Sequence, residues 1–123
     1  MNIEEFHQLC SSMPGVTEHF PFDQDTLVFK VGGKMFALAS LTEWEKGNPG
    51  ANLKCDPQRA IELREQYRGI TPGYHMNKVH WNSVSANDDV PPALFNELLR
   101  HSYQLVLGSL PRKIQQQIAQ EGH

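Results

Sequence analysis

The run of side chains best equipped for chemistry in this 123-residue chain lies at residues 74–82, Tyr-His-Met-Asn-Lys-Val-His-Trp-Asn. It combines aromatic rings that can stack, two imidazoles, two amides and an ammonium group, a mixture suited to polar or anionic ligands. A structural interpretation stays open beside this one, in which Trp81 anchors a core and Asn77 and Asn82 fix a turn. The candidate binding residues in the run are His75, Asn77, Lys78, His80 and Trp81.

Catalytic and metal chemistry find little support in the sequence. His75 and His80 are five residues apart, which places them on opposite sides of a strand and off a common helical face. The chain contains no His-Glu-x-x-His and no Gly-x-Ser-x-Gly. The carboxylates Glu18, Asp23 and Asp25 lack the spacing of a calcium loop, and we expect them in solvated loops. The sequence therefore predicts no catalytic residue, no metal ligand and no cofactor.

Length and composition are typical of one folded domain over residues 1–123. Hydrophobic residues make up 39% and charged residues 20%, which argues against a disordered or membrane-spanning chain. The first five residues carry two acids and no base, unlike a secretory signal. We therefore expect a soluble cytoplasmic protein in which Cys10 and Cys55 are buried thiols rather than a disulfide.

Charge is unevenly distributed along the chain, whose formal net charge is −3. The first 25 residues hold five acids and no Lys or Arg, while the remainder holds nine acids and all eleven bases. That excess of two positive charges is far below the dense cationic footprint typical of proteins that neutralise many phosphates. Net charge alone gives nucleic-acid binding little support.

The hydrophobic pattern predicts a two-layer α+β sandwich, with an N-terminal helix, a twisted antiparallel sheet and helices packed mainly on one face. Helices are predicted at about residues 3–13, from Asp56-Pro57 to near Gly69, from about residue 91, and after a break at 108–111. Strands are predicted at residues 26–31, 34–41, 52–55 and 79–86, and loops or turns at 42–51, 70–73 and 87–89.

The dipeptide Gly32-Gly33 indicates a hairpin with a two-residue turn. The register expected from it pairs Val31 with Lys34, Phe29 with Phe36 and Leu27 with Leu38 on one face. The opposite face would be too apolar for free solvation, so we expect a helix, a partner or a ligand to cover it. That face would carry Thr26, Val28, Lys30, Met35, Ala37 and Ala39.

Several elements together resemble the MmcQ/YjbR family of small bacterial proteins, over essentially the whole chain. They are Lys34-Met35-Phe36, Leu53-Lys54, residues 75–84, residues 94–103 and Leu110-Pro111. The resemblance implies a compact α+β fold similar to that of CyaY or of type III secretion chaperones, and no catalytic residue. It also implies DNA binding, which in the family is based on a "double wing" comparison of hairpins. Residues 43–51 and 85–89 depart from the family pattern.

Three binding functions follow as alternatives, each for a chain expected to be a monomer. The first is a DNA-binding module, with phosphate contacts from Lys30, Lys34, Lys54, Lys78 and Arg68 and with His75 or Trp81 nearer the bases. The second is a protein-binding module that uses the hairpin face around Val28, Met35 and Ala37. The third is a site for a small anionic ligand at His75, Asn77, Lys78 and Trp81.

Overall fold

The computed structural model describes residues 1–121, and it has the predicted α+β architecture. The six strands form one antiparallel sheet in the order β1-β2-β3-β4-β6-β5. The strands are β1 (Val16–His19), β2 (Thr26–Val31), β3 (Lys34–Ser40), β4 (Gly50–Lys54), β5 (Ile70–Pro72) and β6 (Trp81–Ser85). The helices are α1 (Ile3–Ser11), α2 (Leu41–Glu45), α3 (Pro57–Gln66), α4 (Pro92–Gly108) and α5 (Arg112–Glu121).

One main core lies between the sheet and the helices. It joins buried side chains of α1, α3, α4 and α5 to those of the strands on a single face, here called the inner face. Examples are Phe6, Leu63, Leu99 and Ile118 from the helices and Phe29, Leu53 and Val84 from the strands. The prediction of helices on one face of the sheet is thus confirmed, and the opposite, outer face is left free of helices.

Local capping explains where two of these helices begin. Asn2 and Glu5 form a reciprocal capping box at the start of α1. Asp56 accepts a hydrogen bond from the Arg59 amide at the start of α3, where Pro57 in the first turn loses no bond. The predicted start of this second long helix at Asp56-Pro57 is confirmed.

Three short elements lie where the sequence predicts loops or no regular secondary structure. They are β1, α2 and β5. β1 and β5 are the two edge strands of the sheet. They are extended because they pair with β2 and β6, and not because of an apolar pattern of their own. α2 is a single capped turn, in which the Ser40 hydroxyl accepts from the Glu43 amide. The predicted strands at 52–55 and 79–86 also shift, to Gly50–Lys54 and Trp81–Ser85.

The β2–β3 hairpin has the predicted turn but a different register. The observed pairs are Val31↔Lys34, Lys30↔Met35, Phe29↔Ala37, Val28↔Leu38 and Leu27↔Ala39. Phe36 is the extra residue of a β-bulge, which shifts every later pair by one position. The predicted pairs Phe29–Phe36 and Leu27–Leu38 are therefore wrong. Ala37 and Ala39 belong to the main core, whereas Leu38 faces outward.

The bulge also interrupts pairing between β3 and β4. Only Ala37↔Leu53 and Leu38↔Asn52 are in register. At the next position, the buried Ser102 hydroxyl of α4 accepts from the Lys54 amide at 2.8 Å and donates to the Phe36 carbonyl at 2.5 Å. A helix side chain thus completes the sheet hydrogen bonding and ties α4 to it.

The outer face of the hairpin is covered by the chain itself. Val28, Leu38 and Trp81 form a small buried cluster, against which Met35 and Met76 pack. Met76 belongs to residues 73–80, here called the crossing segment, which connects β5 to β6. The expected cover of this face is therefore supplied by the crossing segment rather than by a helix.

Both cysteines are free and buried, as predicted. Burial raises the pKa of the Cys10 thiol above its usual range and that of the Cys55 thiol to about 11. Both groups therefore stay protonated at neutral pH, and neither is suited to act as a thiolate nucleophile.

The two glycines of the hairpin turn have left-handed backbones but different surroundings, with φ values of +58° for Gly32 and +81° for Gly33. A Cβ on Gly32 would lie 2.4 Å from Leu110 Cδ1, whereas one on Gly33 meets nothing within 4 Å. We expect Gly33→Ala to cost about 1 kcal/mol through backbone strain. Gly32→Ala should cost about 2 to 3 kcal/mol, because the buried Leu110 must also move. Urea unfolding measures both variants, and equal losses would contradict the close packing of Leu110.

Candidate functional site

The crossing segment is held on the outer face by polar side chains of two neighbouring strands. The Gly73 amide donates to the Trp81 carbonyl at 2.9 Å and closes the base of the segment. The Tyr74 amide donates to Ser83 Oγ at 3.0 Å, and Asn52 Nδ2 donates to the Tyr74 carbonyl at 3.1 Å. The Ser83 hydroxyl in turn donates to Asn52 Oδ1. Outward-facing Asn52 and Ser83 thus position the backbone of Tyr74.

Three of the predicted binding residues have structural roles. Asn77 Oδ1 accepts from the Val79 amide at 2.9 Å, which is a turn contact. Lys78 Nζ donates to the Gly73 carbonyl at 3.0 Å inside the segment. Trp81 is only 9% exposed and packs in the outer cluster. The observed contacts of Asn77, Lys78 and Trp81 are structural ones, within the crossing segment and the outer cluster.

The two histidines of the run remain exposed. The His75 ring lies 4.0 Å from that of Tyr74, centroid to centroid, and His75 has a left-handed backbone with φ 59°. His80 donates its amide to the Asn77 carbonyl. Of the predicted ligand-binding run, Tyr74, His75 and Met76 line a cavity.

Arg64 of α3 is the main residue of this region that sequence reasoning missed. Its Nε donates to Asn82 Oδ1 at 2.6 Å, and its Nη2 donates to the carbonyls of Lys78 and Trp81. Buried Asn82 also donates to the Ala60 carbonyl of α3 at 3.4 Å. Arg64 therefore clamps the crossing segment and β6 to the helix layer. No sequence pattern indicates this role, because α3 carries several other exposed polar side chains.

Two cavities of about 560 and 440 Å³ lie on the outer face and share four lining residues, Leu38, Ser40, Asn52 and Tyr74. We call the pair the outer groove. Tyr74 is 70% exposed, and Phe22, which lines the smaller cavity, is 65% exposed. The charged side chains that line the outer groove are Asp23, Glu43 and Asp88, and no Lys or Arg among residues 1–121 lines it. The groove is therefore apolar in part and negatively charged at its rim.

Hydrogen bonds keep the carboxylates of this region ionised. Backbone amides of Thr26 and Asp25 hold the pKa of Asp23 below its usual value. The hydroxyls of Ser40 and Thr42 do the same for Asp25. Amides of Gly69 and Arg68 lower the pKa of Asp89. We call this side of the domain, with Glu43 and Asp88, the acidic end.

The cations predicted to contact DNA do not lie together. Arg68 pairs with Asp88 at the acidic end, and Lys78 is bonded within the crossing segment. Lys54 lies at the other end of β4, opposite Trp81 in the sheet. Lys30 and Lys34 flank the hairpin turn. The structure thus places Lys30 and Lys34 beside the hairpin turn, on opposite faces of the hairpin, and separates Arg68 and Lys78 from them.

Around the hairpin turn the domain is built from three segments without any carboxylate, residues 11–17, 26–41 and 102–120. Close packing of Gly32 on Leu110 and of Gly15 on Ile118 brings these segments together. Their cations are Lys30, Lys34, Arg112 and Lys113, here called the basic end. Arg112 also begins α5, whose N-terminus adds a partial positive charge. No motif in the sequence points to Arg112 and Lys113, although the acid-free stretch 102–120 is a visible signal.

Within residues 1–121, no three His, Cys, Asp or Glu side chains lie close enough together to hold a metal ion. No helix in that range combines the length and the apolar character needed to cross a bilayer. The described residues form an α+β domain with an open antiparallel sheet.

A family model described as YjbR matches residues 11–105, and the chain therefore belongs to the MmcQ/YjbR family. It is 38% identical over 115 residues to the uncharacterized protein YbdF of Escherichia coli O157:H7, covering 94% of this chain and 92% of that protein. It is 31% identical over 113 residues to the uncharacterized protein YjbR of Escherichia coli K12, covering 92% and 93%. The family resemblance seen in the sequence is confirmed.

Solved structures agree with this assignment. The crystal structure of Deinococcus radiodurans protein DR2400, described as a DUF419 domain, has a TM-score of 0.88 at 38% identity and covers 96% of this chain and 88% of that one. A crystal structure of a Pseudomonas syringae protein has a TM-score of 0.72 at 27% identity, with coverage of 86% and 99%. The similarity therefore extends over nearly the whole fold.

Proposed function

We propose that this protein is a non-enzymatic DNA-binding module whose phosphate contacts lie at the basic end. The observation that carries the proposal is the gathering of Lys30, Lys34, Arg112 and Lys113 on segments without a single carboxylate. Although the chain is acidic overall, four of its eleven Lys and Arg residues lie on these acid-free segments. Local field rather than net charge governs how a protein approaches a polyanion.

The geometry of the hairpin turn suits close contact with a sugar-phosphate backbone. Gly32 and Gly33 carry no side chains, so the turn itself adds no bulk between Lys30 and Lys34. Beside it, the amides of the first turn of α5 offer a further site for phosphate oxygens. The acidic end repels a polyanion, so we expect the domain to approach DNA with the hairpin turn first.

The salt dependence of binding tests this proposal. Four phosphate contacts predict that log K falls with log salt at a slope near −3.6, or about 100-fold between 50 and 200 mM salt. Fluorescence anisotropy with a short labelled duplex measures the slope. Absence of association at the lower salt concentration would contradict the proposed function.

Matched double variants locate the contacts. Lys34→Gln/Arg112→Gln should reduce the salt slope by about 2 and weaken binding about tenfold or more at low salt. Lys46→Gln/Arg68→Gln removes the same charge at the acidic end and should leave the slope unchanged. Equal losses in the two double variants would show that the charge of the whole chain, and not the basic end, drives association.

A further inference from the structure

We propose that the outer groove binds an extended polypeptide segment that carries basic side chains beside apolar ones. This binding surface is separate from the basic end, so the inference goes beyond DNA binding. Three independent features of the groove support it: the shape of the sheet at the groove, its exposed aromatic rings, and the sign of its charged side chains.

The sheet opens beneath the groove. β4 and β6 pair over five residues, whereas β3 and β4 pair over two, although β3 continues to Ser40 and β4 starts at Gly50. The larger cavity lies over this junction and is lined by both of these strand ends. Sheet pairing places chains about 4.8 Å apart, so a widened junction between strands suits another extended backbone.

Exposed aromatic rings provide apolar anchoring points along the groove. Tyr74 borders both cavities and Phe22 borders the smaller one. The backbone of Tyr74 is already fixed by Asn52 and Ser83, so little conformational entropy is lost when its ring contacts a ligand. Leu38, shared by both cavities, adds apolar surface at the floor. These groups favour a ligand with aliphatic side chains.

The charged lining selects a basic ligand over an acidic one. Asp23, Glu43 and Asp88 are all carboxylates, and the nearby cations Lys46 and Arg68 are themselves exposed. The Lys46–Glu43 pair is exposed and 4.0 Å long, so it contributes little, and Lys or Arg side chains of a peptide compete with Lys46 readily. The same carboxylates repel phosphates, which excludes a nucleic-acid strand as the natural occupant of this groove.

A synthetic probe tests the chemistry directly. A fluorescein-labelled dodecapeptide of alternating lysine and leucine should bind about tenfold or more tightly than its glutamate-leucine and lysine-serine counterparts. In amide chemical-shift mapping, the shifts should concentrate at Leu38, Asn52 and Tyr74. Equal binding of the lysine-serine peptide, or shifts spread over other acidic surfaces, would overturn the proposal.

Variants test whether the peptide binds this groove or is attracted by the negative charge of the whole chain. Glu43→Gln/Asp88→Asn should weaken binding of the lysine-leucine peptide about tenfold, because two carboxylates of the groove lose their charge. Asn is the replacement at position 88 because it tolerates the left-handed backbone of Asp88. Glu62→Gln/Glu65→Gln on α3 removes equal charge and should have no effect. Tyr74→Ala should weaken the peptide while leaving DNA affinity unchanged, so failure of this inference is distinguishable from failure of the proposed function. Equal effects of the two double variants would overturn the inference.

Discussion

Ser102→Ala is expected to lower the free energy of unfolding by about 3 kcal/mol, because one buried and one partly buried backbone group lose their partner at once. Ser102 is fully buried, and its hydroxyl alone joins the Lys54 amide to the Phe36 carbonyl. Direct pairing of β3 with β4 at Phe36 and Lys54 cannot replace the Ser102 hydroxyl without removing the bulge at Phe36. Alanine keeps the helix propensity of α4, so the loss reports the sheet contact.

Urea unfolding of the variant and of Gln104→Ala measures this loss. Gln104 lies two residues further along α4 and is exposed, so its replacement should change stability by less than about 0.5 kcal/mol. Amide hydrogen exchange adds a local readout, since the Lys54 amide should exchange much faster in Ser102→Ala. A stability loss similar to that of Gln104→Ala would show that β3 and β4 close the gap themselves.

The hairpin illustrates how far the sequence predicts this fold. Its turn follows from the backbone freedom of two adjacent glycines, which is a local property and was predicted. Its register contains a bulge at Phe36, whose carbonyl accepts a hydrogen bond from Ser102, 66 residues further along the chain. Counting residue pairs outward from the turn gives no information about that contact, so the sequence places Ala37, Leu38 and Ala39 on the wrong faces of the sheet.

Polar residues of the candidate sites show the same limit of prediction from sequence. The side chains of Asn77 and Lys78 bond to the backbone of their own segment, and their contact with a ligand stays a prediction. Composition cannot distinguish these two uses of a hydrogen-bonding group, because both require the same residue types. The basic end combines Lys34, which the sequence predicts as a phosphate contact, with Arg112, which it does not, since only the packing of Leu110 on Gly32 brings their segments together.

Arg64→Met is expected to cost about 3 kcal/mol of stability and to loosen the crossing segment, because one guanidinium satisfies three acceptors. Methionine retains much of the aliphatic length and helix propensity of arginine, so the change removes mainly these hydrogen bonds. Asn82 would keep its bond to α3 but leave its buried carbonyl oxygen without a donor. Arg64→Lys should recover part of the loss, since an ammonium group reaches fewer of these acceptors.

Urea unfolding and Trp81 fluorescence measure the two consequences. A loosened segment exposes the indole of Trp81, so in a Trp44→Phe background its emission should shift to longer wavelength in Arg64→Met before global unfolding. Arg100→Met, at an exposed position of α4, is the matched control and should preserve both stability and emission. Because Tyr74 lies on the same segment, the lysine-leucine peptide should also bind Arg64→Met more weakly. A variant as stable as Arg100→Met would show that backbone bonds, such as that from Gly73 to Trp81, hold the segment without Arg64.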